Sequence, residues 1–141
     1  MPVTATGETA VRPVIKYAEW QAAAVGGAET QALFSLKAGA RVLAAWCRVI
    51  IAWGGASTPT FTLGDGADVD GFITDANANE EVAGPYDGTG AYLATPNQGK
   101  LYLVDDTVDV DYIVGGTPGA VNGKVRFYIL VLQSEPDVSL P

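Results

Sequence analysis

Apolar side chains along this chain recur mainly at every second position, in short runs divided by glycine, aspartate and asparagine. A period of two presents one face of an extended strand to a core, so the pattern predicts strands rather than helices. The candidates are residues 14–20, 30–36, 60–63, 72–74, 101–105, 108–114 and 124–132. In the second of these, Ala32, Phe34 and Leu36 alternate with Gln31, Leu33 and Ser35, between the turn signals Gly26-Gly27 and Ala38-Gly39. Residues 41–53 fit two periods. Val42, Trp46, Val49, Ile50 and Trp53 have helical spacing, whereas Leu43, Ala45, Cys47, Val49, Ile51 and Trp53 form a wholly apolar alternate set. The flanking glycines and the β-branched second half favour a strand.

Residues 75–82 are polar and alanine-rich and predict a helical turn or a surface loop, and residues 83–99, with four glycines and two prolines, read as a long connection. The last two strands can be paired by side chain. Asp111 opposite Arg126 sets Tyr112 against Val125, Val110 against Phe127 and Val108 against Ile129, with residues 115–123 as the hairpin loop. Residues 1–13 lack sustained periodicity and read as an extended N-terminal arm, 14–133 as the folded body and 134–141 as a polar tail closed by proline. The fold expected is all-β: an antiparallel β-sandwich or jelly roll with that arm.

At 141 residues the chain predicts one domain. A chain of this mass buries about two-thirds of its surface on folding, enough to stand without disulfides or metals. Its 16 Asp and Glu against 8 Lys and Arg give a net charge of −8, which disfavours phosphate backbones and anionic lipid, so neither nucleic acid nor membrane is an expected partner. The absence of histidine and the single cysteine exclude Ser/His/Asp and Cys/His nucleophile systems and ordinary tetrahedral zinc sites. Cys47 sits in an apolar run beside Trp46, Val49 and Ile50 and reads as a core residue. The N-terminus lacks a basic start and an apolar segment, so the expectation is a soluble product made in the cytoplasm.

Carboxylates are the remaining chemistry. Asp65, Asp68 and Asp70 before Gly71 approach a calcium loop, but aligned on that glycine the first ligand position is Gly66 and the twelfth is Asn77 in place of glutamate. Turn-forming aspartates are the favoured reading, with no metal and no cofactor. A glycosidase pair drawn from Asp65, Asp68, Asp70, Glu80, Glu81 and Asp87 would depend on their separation in space. Asp105, Asp106, Asp109 and Asp111 read as a solvated strand face, or else as an electrostatic docking surface.

Two strands are apolar on both faces. The second face of residues 41–53 carries Val42, Ala44, Trp46, Ile50 and Ala52, and that of 124–132 carries Tyr128, Leu130 and Leu132. A sandwich buries one face of each sheet, so the surplus lies under the 83–99 loop or against another subunit. Trp46, Ile50, Tyr128 and Leu130 are therefore the candidate oligomer interface. Val3, Val11 and Pro13 in the arm are candidates for adding along a partner's exposed sheet edge.

The run from Leu63 through Asp65, Asp68, Asp70 and Gly71 to Thr74, preceded by Ala52-Trp53-Gly54-Gly55 and followed by the strand at 124–132, resembles small β-sandwich virion proteins of tailed bacteriophages. These include capsid decoration, or cement, proteins and tail-associated structural proteins. The resemblance implies no catalytic residues. It implies a non-enzymatic virion component, often trimeric, that binds the major capsid protein and stabilises the assembled head. The alternative is a receptor- or carbohydrate-binding module of a tail fibre, with Tyr86 and Tyr92 stacking on sugar rings.

Overall fold

The structure, a computed structural model, describes residues 11–21, 27–53, 59–114 and 123–134. Eight strands run in chain order: β1 (Val11–Trp20), β2 (Gly27–Leu36), β3 (Arg41–Ile51), β4 (Pro59–Gly64), β5 (Gly84–Asp87), β6 (Lys100–Leu101), β7 (Asp106–Val114) and β8 (Lys124–Ser134). They form two antiparallel sheets, β1-β8-β3-β5 with β6 also on β3, and β2-β7-β4. No helix occurs among the described residues, so 75–82 is a series of turns. This is the expected all-β sandwich.

The expected β7–β8 pairing is incorrect. β8 lies between β1 and β3, and β7 between β2 and β4, so Arg126 faces Glu19 and Asp111 faces Thr30 and Thr62. Val108, Val110 and Tyr112 are buried, as are Val125, Phe127, Ile129 and Val131 on the other sheet. These two apolar rows form the inner faces of opposite layers. Apolar complementarity operates across a core as well as along a hydrogen-bonded ladder, and here the core claimed it.

Elsewhere the differences are local. β1 begins at Val11 rather than at residue 14, so Val11 and Pro13 belong to a strand paired with β8 and not to a free arm; Val3 lies outside the described residues. Residues 72–74 make only an isolated bridge, Ile73 to Leu63. The 101–105 strand shrinks to β6, with Tyr102 buried and Leu103 and Val104 exposed. The 83–99 connection contains β5, which extends the sheet beside β3. β3 carries bulges between Val42 and Ala44 and between Val49 and Ile51. Each bulge shifts the alternation by one residue, so Val42 joins Ala45, Cys47 and Val49 in the core while Ile51 is exposed. Proline, which has no amide donor, occurs on the edge strands β1, β4 and β5 (Pro13, Pro59 and Pro85), the edge strand β2 is bulged at Leu33, and β6, beside β5 on the same margin, is only two residues long.

One end of the core is an aromatic cluster. Trp20 packs on Tyr112 at 4.7 Å between ring centroids and on Trp53 at 5.9 Å, and Phe61 meets Phe127 edge to face at 5.3 Å. Trp53 is covered by Gly123, where a Cβ would come within 2.0 Å of the indole. Cys47 is fully enclosed and burial pushes its thiol up to about 12, so it is an inert core residue. Truncating Phe127 to Ala is expected to cost about 3–5 kcal/mol in urea unfolding, whereas Tyr17→Ala on the outer face costs about 0.5 kcal/mol or less. Equal losses would mean that the inner face has been misassigned.

Candidate docking surface

Three of the four predicted interface residues come together. The inward set on β8 is Val125, Phe127, Ile129 and Val131, so Tyr128 and Leu130 point out from the opposite face of the same sheet. Register then brings neighbours alongside. Ile15, Leu130 and Ala44 form one row across β1, β8 and β3, and Tyr17, Tyr128 and Trp46 form the next. Trp46 stacks on Tyr128 with centroids 5.4 Å apart and planes 5° from parallel, and Tyr17 lies 6.3 Å from Tyr128 on the other side. Ile50 falls beyond this ladder at the β3 bulge and is 37% exposed.

Sequence reasoning missed the β1 half of this surface. Ile15 is 57% and Tyr17 67% exposed, which makes them the most accessible members of their rows. The available signal was the alternation of Ile15 and Tyr17 with Lys16 and Ala18, interpretable only once β1 is known to flank β8. Neither ring of the 83–99 segment, Tyr86 or Tyr92, stacks on this ladder. Tyr92 packs on Phe72 at 5.2 Å, and β5 pairs with the edge of β3.

The next row is charged: Glu19, Arg126 and Arg48. The Arg126 guanidinium donates to Glu19 through Nε at 3.1 Å and through Nη2, and lies over the Tyr17 ring at 5.6 Å. The hydrogen bond from Arg126 holds the Glu19 carboxyl below its ordinary value. An aromatic ladder bordered by arginines is thus presented to solvent.

The acidic loop is structural. Asp65 is 2% exposed, and its Oδ1 accepts from the amides of Ala67 and Asp68, both at 3.0 Å, and from the Tyr92 hydroxyl at 2.8 Å. Its Oδ2 accepts from the Tyr102 hydroxyl at 2.9 Å. Burial raises this carboxyl, but the hydrogen bonds from Tyr92, Asp68, Tyr102 and Ala67 outweigh burial and leave it below the usual aspartate range. Both tyrosines are pushed upward, first by burial and then by donating to Asp65. Asp70 is raised by a hydrogen bond shared with Asp68, and Glu80 is raised by burial. No group of three or more Asp, Glu or Cys side chains placed to hold a metal occurs among the described residues. Tyr86 is half-buried against the core and donates to the Val82 carbonyl at 2.8 Å, and the Tyr92 ring is engaged by Phe72 and Lys100.

No protein-family model matches this chain. No curated protein matches it either. Solved structures do. A chain in the capsid asymmetric unit of cyanophage Pam1 superposes with a TM-score of 0.62 at 17% identity, over 94% of this chain and 93% of that one. A chain in the acid-stable capsid of Helicobacter pylori bacteriophage KHP30 gives 0.55 at 13% identity, over 89% and 95%. A chain in the capsid of Ralstonia phage GP4 gives 0.53 at 17%, over 96% and 92%. The likeness is one of fold across nearly the whole length of each chain.

Asp65→Asn replaces one acceptor oxygen with an amide donor facing a tyrosine hydroxyl, and is expected to cost about 1.5–3 kcal/mol at neutral pH. Because the folded-state carboxyl titrates below the ordinary aspartate value of about 3.9, wild type holds this advantage above that pH and loses it as pH falls through the lower folded value. Denaturation at pH 7 and pH 3 should therefore give a smaller wild-type advantage in acid; an unchanged gap would exclude the ionised carboxylate as its source.

Proposed function

We propose that this chain is a non-enzymatic structural component of a bacteriophage virion: a decoration protein that binds the assembled head and stabilises it. The observation that carries the reading is the solvent-facing ladder of Tyr17, Tyr128 and Trp46 with Ile15 and Leu130 beside it. Such a surface is costly to leave wet, and a protein that works within an assembly covers it. The fold likeness supports the same reading, since the matching chains come from capsids rather than tails. In this proposal the ladder, with Ile50 at its margin, joins copies of the chain into a trimer, and the major capsid protein is the partner. Residues 1–10, with Val3, act as the capsid-binding clasp by adding along an edge of the shell protein, several arms acting together through effective concentration.

Sedimentation at micromolar concentration is expected to give a trimer for wild type and a monomer for Ile50→Asp, whose carboxylate would be trapped unpaired. Electron microscopy of empty expanded capsids mixed with the protein should reveal knobs distributed over the head. Deleting residues 1–10 should leave the melting temperature and trimer intact while weakening capsid binding at least tenfold, about 1.4 kcal/mol. Capsids that stay bare at saturating protein would overturn the decoration reading.

A further inference from the structure

The charges of this chain are sorted by sheet. Every lysine and arginine except Lys37 lies on a strand of the five-stranded sheet, and β2, β4 and β7 carry none. On the outer face of the three-stranded sheet, Thr30, Asp111 and Thr62 form a row across β2, β7 and β4. The 65–70 loop folds back over Gly64, where a Cβ would meet the Asp68 carbonyl oxygen at 2.0 Å. A groove of about 440 Å³ results, with Glu29, Asp75 and Asp111 as its carboxylates and Val69 and Ile113 as exposed apolar wall. No basic side chain lines it. The Thr62 hydroxyl is buried there and has no partner among the described residues.

The matching surface is on the same molecule. Beside the Tyr17, Tyr128 and Trp46 ladder, Arg126 and Lys124 are held by Glu19, while Arg48 is exposed and has no ion pair among the described residues. We infer that the groove receives this aromatic, basic face from a second copy of the chain, so that copies join head to tail. The inference rests on the self-association proposed above and identifies what covers the ladder. Stacking either face on its own counterpart opposes like charges, whereas the head-to-tail contact sets Arg48 toward Asp75 and Asp111, and Ile15 and Tyr17 toward Val69 and Ile113. The net charge of −8 does not override this. Repulsion between whole copies acts through solvent, where salt screens it beyond about 8 Å at physiological ionic strength, so the charges that meet at the contact decide its sign. The charged row of Glu19, Arg126 and Arg48 adjoins Trp20 along β1, the Thr30–Asp111 row adjoins Tyr112 along β7, and Trp20 and Tyr112 touch, 4.7 Å between centroids. A heterologous contact of this kind closes into a ring when the rotation between successive copies closes, and the trimer proposed above is three such contacts.

The test is charge reversal at two exposed positions in the full chain, read by sedimentation velocity. Arg48→Glu and Asp75→Lys should each raise the dissociation constant at least tenfold, and the double variant should recover most of that loss, because every contact then carries the reversed pair. Folding is checked by thermal melts. A second measurement mixes an Ile113→Cys protein with a Tyr17→Cys protein under mild oxidation. The expected product is the 113–17 cross-link, with the buried native Cys47 silent. A double variant no tighter than either single, or 113–113 and 17–17 products in place of the mixed one, would overturn the head-to-tail contact. Reversal at Asp75 that spares the oligomer but abolishes capsid binding would equally overturn it, by giving the groove to the shell. These outcomes leave the decoration reading standing. A wild-type monomer at all concentrations instead removes the self-association on which the contact rests.

Discussion

β7 and β8 are the central strands of their sheets, and the structure depends on keeping them in different layers. Each offers an unbroken inward row, Val108, Val110 and Tyr112 from one and Val125, Phe127, Ile129 and Val131 from the other. Fully burying a side chain of this size is worth about 1.5–3 kcal/mol, so the facing rows supply much of the core's free energy. Four strands are placed directly by these two, and β5 and β6 then attach to β3. β1 and β3 flank β8, and β2 and β4 flank β7. The outward residues of β8 and β7 then become the middles of two solvent-facing surfaces with different chemistry, aromatic and basic on one side, threonine and carboxylate on the other.

The strands themselves were legible because period-two alternation is local. Their partnership was not, since Val108, Val110 and Tyr112 match Val125, Phe127 and Ile129 equally well as ladder neighbours or as opposing layers, and only the other strands decide between these. Bulges were hidden for a related reason. Val42 and Leu43 are both apolar, so hydropathy cannot say which of them turns inward, and the structure buries Val42. β5 escaped because Gly-Pro-Tyr-Asp carries turn residues and is ordered by pairing with β3.

The surface was legible to the same extent. Trp46, Tyr128 and Leu130 fall on one face because both their strands alternate, and what was missing was β1, whose Ile15 and Tyr17 complete the rows. The groove on the other sheet was legible only as an acidic strand face. Its signal is distributed: no lysine or arginine occurs between Arg48 and Lys100, or between Lys100 and Lys124. That gap becomes a place on the molecule only when β4 and β7 are brought side by side.

Prolines on β1, β4 and β5, together with the bulge in β2, have a consequence for crowding. An open sheet edge is a template on which any identical chain can lay a further strand, and the hazard grows with local concentration. A protein working as proposed above, in many copies on one particle, would meet that hazard continually. Here each edge strand is missing a donor, has lost its regular spacing or, in β6, is only two residues long, which disfavours strand-by-strand zipping into fibrils at the margins of both sheets. In that proposed setting copies would pack densely yet stay exchangeable units, each added or lost whole.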